Sequence, residues 1–369
     1  MNAFLPNLAV TAGDPAGIGA EIVARLFAGS PPTASRAVLV GAPGAFGAWL
    51  KRAGLSAPVL GDPALLDPDG GGESLPAVVI LDTGVRDSFV VGENSAGGGK
   101  HAGRAIEMAC ELASSGRVAG IVTAPISKKS LNLANFHYPG HTEMLARYLN
   151  SPQCQMVMVH GALRVVPLTR HLPLREVADA ITREAIETCV KATRRGLIAT
   201  FGVRNPRMAV AGLNPHAGDG GVLGDEEERV IKPALAALRG VGIEVDGPFA
   251  ADAMFQRAAE SVLGTGGAAG AAPFDAYIAM YHDQGLVAFK ALARRRGVNV
   301  TVGLPVIRTS PDHGTAYDIA GKGLADPGSM REAYELAEML CGVRTGGGRG
   351  NDTNNHSGHA AGNADGASQ

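Results

Sequence analysis

Three histidines of the chain each follow a short apolar run that is typical of a buried parallel strand. His171, His216 and His282 come directly after residues 164–170, 209–215 and 274–281. Because ligands of open α/β sheets bind at the carboxyl ends of the strands, the three imidazoles should meet one edge of the sheet. One histidine in such a place is more often structural than a ligand. Three of them fit a divalent metal site with open positions for substrate.

Composition narrows the class of protein. The chain has 369 residues, of which 46% are hydrophobic and 18% charged, so it should form globular domains, with room for two. A formal net charge of −2 gives no reason to expect nucleic acid or an anionic membrane as a partner. The four cysteines are far apart and contain no C-x-x-C pair, which argues against a zinc ribbon and a disulfide framework. With no signal peptide or membrane-length apolar run, we expect a cytoplasmic enzyme.

Strands alternate with helices along the chain, which predicts an α/β fold with a mostly parallel sheet. Strands are predicted at 8–11, 37–41, 77–82 and 120–125, and helices at about 100–114 and 175–195. A further helix should start with a capping box at residues 225–228. Residues 264–273 are expected to form a loop insertion and residues 345–369 a disordered tail. The loose G-x-G-x-x-A match at 264–269 precedes a strand, so it does not predict a Rossmann dinucleotide site.

Several motifs together carry a family resemblance. They are Gly-His-Thr-Glu at 140–143, His-Leu-Pro-Leu at 171–174, Gly-Leu-Asn-Pro-His-Ala-Gly at 212–218, Tyr-His-Asp-Gln-Gly at 281–285 and Gly-Leu-Pro-Val-Ile-Arg-Thr-Ser at 303–310. In this order they resemble the 4-hydroxythreonine-4-phosphate dehydrogenase family of vitamin B6 biosynthesis, over about residues 7–342. The resemblance implies oxidation of 4-phosphooxy-L-threonine by NAD with the help of a divalent metal.

Residues 312–323 are also similar to the adenosine-binding loop of isocitrate and isopropylmalate dehydrogenases. This similarity implies their fold, with two α/β/α domains flanking a cleft. The first domain would comprise residues 1–135 and 300–343, and the second residues 136–299. It further implies that His313, Gly314, Thr315 and Asp318 bind NAD without a Rossmann fingerprint.

The resemblance also implies which residues act. The metal, expected to be zinc, cobalt or magnesium, would be held by the three strand-end histidines, and members of the family are homodimers with a shared active site. Asp283 and Lys290 are the candidate catalytic residues, although the position of Asp283 beside a ligand histidine favours orienting that ligand over accepting the proton. The substrate contacts fall on His141, Thr142, Lys290, Asn299 and Arg308. One departure is Arg170, which stands where a small hydroxyl residue is usual and adds a cation beside the metal.

Other functions remain open at this point. Relatives of the family oxidise phosphorylated threonate or erythronate, or aromatic dihydrodiols. The presence of Lys290 and Arg308 favours a phosphorylated substrate over a dihydrodiol. A related fold serves phosphate acyltransferases, which have no need of an adenosine loop or of three histidines. A metal-binding protein without catalysis is the remaining alternative.

Overall fold

The computed structural model describes residues 6–67, 75–263 and 273–346. Twelve strands are found in these ranges: β1 (Asn7–Thr11), β2 (Arg36–Val40), β3 (Val59–Leu60), β4 (Val78–Leu81), β5 (Gly120–Thr123), β6 (Gln155–His160), β7 (Leu163–Pro167), β8 (Met208–Ala211), β9 (Val245–Phe249), β10 (Ala276–Ala279), β11 (Val298–Val302) and β12 (Ile307–Pro311).

The α-helices of the described residues surround these strands. They are α1 (Gly19–Leu26), α2 (Pro43–Arg52), α3 (Ala96–Ser114), α4 (Lys128–Leu133), α5 (His141–Tyr148), α6 (Leu174–Ala180), α7 (Arg183–Phe201), α8 (Lys232–Gly240), α9 (Ala251–Leu263), α10 (His282–Ala293) and α11 (Gly328–Gly346). Short 3₁₀ segments occupy Pro63–Leu66 and Pro215–Gly221, and a π-turn occupies Glu227–Ile231. Among the described residues, no helix combines the length and the apolar character needed to cross a membrane.

All twelve strands belong to one sheet in the order β3-β4-β2-β1-β5-β12-β11-β6-β7-β10-β8-β9. In the first half of this order, β3, β4, β2, β1, β5 and β12 pair in parallel. In the other half, β7, β10, β8 and β9 also pair in parallel. Between these halves, β11 is antiparallel to both of its neighbours, and β6 is antiparallel to β7. Strands such as β1 and β8 are buried along their whole length because helices cover both faces of the sheet. The predicted α/β class with a mostly parallel sheet is confirmed.

The predicted domain boundary at residues 299 and 300 falls inside β11, which joins the two halves of the sheet. The two units therefore share one continuous sheet, and the division itself stays a prediction. Helix α11 includes residues 345 and 346 of the expected tail. The rest of that tail, and all but residue 273 of the expected insertion, lie outside the described residues.

Two predicted helices differ from the structure. Residues 175–195 do not form one helix, because Thr182 is extended (φ −106°, ψ 161°) and its hydroxyl accepts a hydrogen bond from Ala185 N–H, which starts α7 afresh. The predicted capping box at residues 225–228 is also wrong. The helix there begins with a π-turn that has no side-chain cap, because Glu226 and Glu227 hydrogen-bond Asn214 in a neighbouring loop instead.

Candidate functional site

The three histidines follow three adjacent parallel strands. Strand β10 pairs in parallel with β7 on one side and with β8 on the other. His171 follows β7, His282 is the first residue of α10 after β10, and His216 lies in the 3₁₀ segment after β8. Their predicted placement at the carboxyl edge of neighbouring strands is therefore confirmed.

Two of these histidines meet. The ring centroids of His171 and His282 are 6.0 Å apart, with an angle of 41° between the ring planes. Asp283 Oδ1 lies 2.6 Å from His282 Nδ1, which fixes this nitrogen as a donor and leaves the Nε2 lone pair free. Burial lowers the pKa of His171, and the positive charge of Lys128 lowers it further. His171 is therefore favoured in the neutral form, which is the form of imidazole that binds metals.

His216 of the same chain does not lie close to His171 and His282. Within the described ranges, no three His, Cys, Asp or Glu side chains lie close enough to hold one metal ion. His216 is exposed and has a positive φ of 53°, and the four residues that follow it are also left-handed. Left-handed conformations cost non-glycine residues about 1 kcal/mol or more, so surrounding contacts must hold this loop in place.

Glu227, which no sequence motif indicated, fixes the loop that carries His216. Its carboxylate is completely buried. It accepts hydrogen bonds from the backbone N–H groups of Leu213 (2.7 Å) and Asn214 (2.8 Å) and from Asn214 Nδ2 (2.9 Å). A Cβ at Gly212 or Gly218 would come within 2.9 or 2.7 Å of its oxygens, so both positions require glycine. The acidic run at 225–228 gave no signal of which acid would turn inward.

A cavity of about 370 Å³ lies beside the histidine pair. Most of the predicted substrate residues line it. The lining includes His141, Thr142, His171, His282, Lys290, Asn299, His313 and Gly314, together with Lys128, Glu143, Arg170 and Asp312. The structure thus brings predicted metal, substrate and cofactor residues to one cavity. Asp283 lies in an adjoining groove that it shares with Arg170 and the two histidines.

The cavity is surrounded by polar atoms that lack partners. His141 Nε2, Asn299 Oδ1, His313 Nε2 and Arg170 Nη1 are buried and have no hydrogen bond to any described residue. Buried polar groups in proteins are nearly always hydrogen-bonded. Several unsatisfied atoms around one cavity therefore indicate a polar ligand that completes their hydrogen bonds.

Arg308 lies below the cavity and does not line it. It is the second residue of β12. Its side chain is 1% exposed, and it donates to Thr301 Oγ1 (2.9 Å) and to Thr123 Oγ1 (2.7 Å), the latter on the cavity wall. Its Nε has no partner, and no carboxylate of the described residues lies within ion-pair distance. Burial lowers the pKa of Arg308 to about 10.

Helix α5 adds a second feature suited to an anion. Gly140 precedes it without any side-chain cap, so the first N–H groups of the helix, at His141 and Thr142, are not satisfied by a cap. Such a helix start attracts phosphate groups. Burial lowers the pKa of His141 well below its ordinary value, and the charge of Arg308 lowers it further. His141 is therefore neutral at physiological pH.

The segment that resembles an adenosine loop packs against the first strand-to-helix turn of the chain. Ile18 N–H donates to the Thr315 carbonyl oxygen (3.0 Å), and a Cβ at Gly17 would lie 2.8 Å from the same oxygen. The Tyr317 hydroxyl donates to Asp14 Oδ2 (2.7 Å), and Asp14 is completely buried. Asp318 is exposed and does not line the cavity, whereas His313 and Gly314 do.

A family profile described as "Pyridoxal phosphate biosynthetic protein PdxA" matches residues 64–337. The chain belongs to this family. It is similar to the 4-hydroxythreonine-4-phosphate dehydrogenase of Beijerinckia indica subsp. indica, with 41% identity over 336 residues, covering 90% of this chain and 94% of that protein. The predicted family resemblance is confirmed.

Solved structures agree with this assignment. The crystal structure of 4-hydroxythreonine-4-phosphate dehydrogenase from Klebsiella pneumoniae has a TM-score of 0.77 and 39% identity, covering 91% of this chain and 99% of that chain. The structure of a terephthalate 1,2-cis-dihydrodiol dehydrogenase from Burkholderia xenovorans is less similar. Its TM-score is 0.59 and its identity 26%, covering 90% of this chain and 98% of that chain.

Proposed function

We propose that this member of the family oxidises the C3 hydroxyl of 4-phosphooxy-L-threonine with NAD, in pyridoxal 5'-phosphate biosynthesis. The observation that carries the proposal is the ring of unsatisfied buried polar atoms around one cavity, which also contains the histidine pair. The immediate product, 2-amino-3-oxo-4-phosphooxybutanoate, is a β-keto acid. Its ketone can accept the electrons of the breaking C–C bond, so it loses CO2 and gives 3-amino-2-oxopropyl phosphate.

The phosphate of the substrate is proposed to bind at the start of α5. The uncapped N–H groups of this helix, the Arg308 charge below the cavity and Lys290 on its wall supply donors and positive charge. Among the described residues, Lys290 Nζ makes only a long contact of 3.4 Å, to the Asp312 carbonyl oxygen, so the ammonium group can turn toward an anion. Asn299 Oδ1 and neutral His141 can accept hydrogen bonds from the hydroxyl and ammonium groups of the substrate.

The donor set fits a divalent metal. His171 and His282 present their imidazoles on one side of the cavity, and Asp283 orients His282. Imidazole ligands suit zinc or cobalt better than magnesium. When bound, a divalent ion lowers the pKa of a hydroxyl group and stabilises the negative charge that develops on it. Asp283 lies outside the cavity lining, which supports an orienting role for it more than direct proton transfer.

The family's dinucleotide also fits the chain. His313 Nε2 is buried without a partner on the cavity wall, and Gly314 beside it leaves space for a close approach. NAD would accept the hydride that leaves C3. We propose that Thr315 shapes the loop through its contact with Gly17, and that exposed Asp318 accepts hydrogen bonds from a ribose hydroxyl.

We also propose a homodimer in which His216 of one subunit completes the metal site of the other. A large apolar side chain is exposed three to six residues after each of the three histidines in the sequence. The exposed fractions are 72% for Leu174, 80% for Val222 and 69% for Val287. Exposed apolar side chains around a functional site are typical of a surface that a partner covers.

Complementation between variants tests the shared site. We would mix His216→Ala and His282→Ala subunits after partial denaturation and refolding. In a twofold dimer each mixed pair retains one intact site, so random pairing should restore about one quarter of the wild-type activity. The pair His171→Ala with His282→Ala is the control, because those residues meet within one subunit and should not complement. No recovery in the first mixture, with proven subunit exchange, would contradict the shared site.

The activity is tested by NADH formation. Purified protein would receive 4-phosphooxy-L-threonine, phosphorylated threonate, phosphorylated erythronate and an aromatic dihydrodiol in parallel, each with NAD and with zinc, cobalt or magnesium. We expect the phosphorylated amino acid to give the highest kcat/KM. If a dihydrodiol were the best substrate, the phosphate-binding role of α5, Lys290 and Arg308 would be wrong.

A further inference from the structure

Arg170 is a cation of the cavity wall that none of the contacts proposed above uses. The residue before it, Thr169, fixes the main chain at this point, because its N–H (3.2 Å) and its hydroxyl (2.8 Å) both donate to the Met280 carbonyl oxygen. The Arg170 side chain lines both the cavity and the adjoining groove. It is therefore held at the strand edge, directly before His171.

The guanidinium of Arg170 has unused hydrogen-bonding capacity. Its Nη1 is buried and has no hydrogen bond to any described residue. Glu143 is the carboxylate within ion-pair distance among the described residues. Its Oε1 lies 3.9 Å from Nη1, which is too far for a hydrogen bond. A partly buried guanidinium with a free donor facing a cavity is suited to an anionic oxygen of a ligand.

We propose that Arg170 binds the carboxylate of the substrate and so selects carboxylated substrates over neutral ones. This inference rests on the proposed function. The phosphate already has α5, Lys290 and the charge of Arg308. Arg170 adjoins the histidine that would hold the metal, beside which the oxidised carbon and its carboxyl-bearing neighbours must lie. Its planar fork matches the two oxygens of a carboxylate, which a lysine or a hydroxyl residue cannot do.

Two probes isolate the carboxylate contact. Both are phosphate esters of the same four-carbon polyol chain, and one ends in a carboxylate where the other ends in a hydroxymethyl group. Because both carry the phosphate, any general loss of positive charge affects them alike. Their dissociation constants would be measured by calorimetry on the metal-loaded protein, for the wild type, Arg170→Gln and Arg170→Lys. Arg175→Gln is the matched control, because Arg175 is exposed and lines neither the cavity nor the groove.

We expect Arg170→Gln to weaken the carboxylate probe about tenfold, because hydrogen bonds between charged groups contribute about 1.5 kcal/mol or more. The hydroxymethyl probe should change less than about twofold, and Arg175→Gln should change neither. Arg170→Lys keeps the positive charge but lacks the planar guanidinium, so it should retain only part of the preference for the carboxylate probe over the hydroxymethyl probe. This variant decides the question if Arg170→Gln does not fold.

Equal weakening of both probes by Arg170→Gln would overturn the inference, because Arg170 would then act on the phosphate or on the fold. A wild-type protein that binds the two probes equally would overturn it as well. The proposed function fails in a different way. Wild-type protein that prefers the carboxylate probe but forms no NADH from 4-phosphooxy-L-threonine would refute that substrate and leave the role of Arg170 standing.

Discussion

Replacing Arg308 with methionine should stabilise the ligand-free protein while weakening phosphate recognition. Burial lowers the pKa of Arg308 from the ordinary value of an arginine to about 10. The folded state therefore binds this proton less tightly than the unfolded state. The resulting destabilisation is fully present below pH 10 and disappears only as the pH rises above 10 toward the ordinary pKa of an arginine.

The size of the effect follows from this difference. A tenfold change in proton affinity corresponds to about 1.4 kcal/mol, so the buried charge destabilises the folded protein by about 3 kcal/mol at neutral pH. The methionine variant loses the hydrogen bonds to Thr301 and Thr123, which contribute about 1 kcal/mol each. The free energy of unfolding should therefore rise by about 1 kcal/mol, as it often does when a buried charged residue is replaced by an apolar one.

Urea denaturation with and without a phosphorylated ligand measures both parts of this prediction. The ligand should stabilise the wild type markedly and Arg308→Met far less. With the phosphorylated substrate, kcat/KM should fall by roughly 10- to 100-fold, while an unphosphorylated analogue should lose much less. Arg175→Met, at an exposed position, is the control and should change neither quantity. A ligand-free Arg308→Met protein less stable than wild type by 1 kcal/mol or more would show that the arginine serves the fold.

Three further changes test other parts of the site. Glu227→Gln should lower the free energy of unfolding by about 1–3 kcal/mol in urea denaturation, because it weakens buried charge-assisted hydrogen bonds to the His216 loop, whereas exposed Glu228→Gln should have little effect. Since the pKa of His141 is lowered on folding, wild-type stability should decrease as the pH falls below about 6.5. His141→Gln should reduce the change in melting temperature between pH 7 and pH 5, whereas His137→Gln, at an exposed position, should leave that change as it is. Asp318→Asn should reduce the preference for NAD over NADP in kcat/KM, because the carboxylate would repel the 2′-phosphate; an unchanged preference would remove Asp318 from the cofactor site.

Periodicity and turn residues were sufficient to predict the strands that carry the site. The runs before His171, His216 and His282 became β7, β8 and β10, because short apolar segments flanked by Gly, Pro and Asn have few alternatives to a buried parallel strand. The same reasoning failed where a single polar contact decides the outcome. One hydroxyl cap at Thr182 divides a predicted helix into two, although the apolar spacing continues through it.

Long-range polar contacts could not be predicted from the sequence. Nothing near Glu227 distinguishes it from its acidic neighbours, yet it alone of that run is completely buried and bonds the loop after β8. The family motif associated Arg308 with the substrate, and this role stays a prediction. The complete burial of this arginine, however, depends on neighbouring strands β5 and β11, which supply Thr123 and Thr301 from distant parts of the sequence.

The position of His216 shows that adjacent strands alone do not bring three metal ligands together. Adjacent parallel strands bring residues to one edge, but the loop beyond each strand decides where its side chain lies. The loops after β7 and β10 place His171 and His282 with ring centroids 6.0 Å apart, whereas the left-handed loop after β8 keeps His216 away from this pair. A buried glutamate maintains this strained loop, and strain that the surrounding structure maintains is typical of functional positions. We therefore infer that the loop is built to present His216 to a second chain, which is the arrangement that the mixed-variant experiment tests.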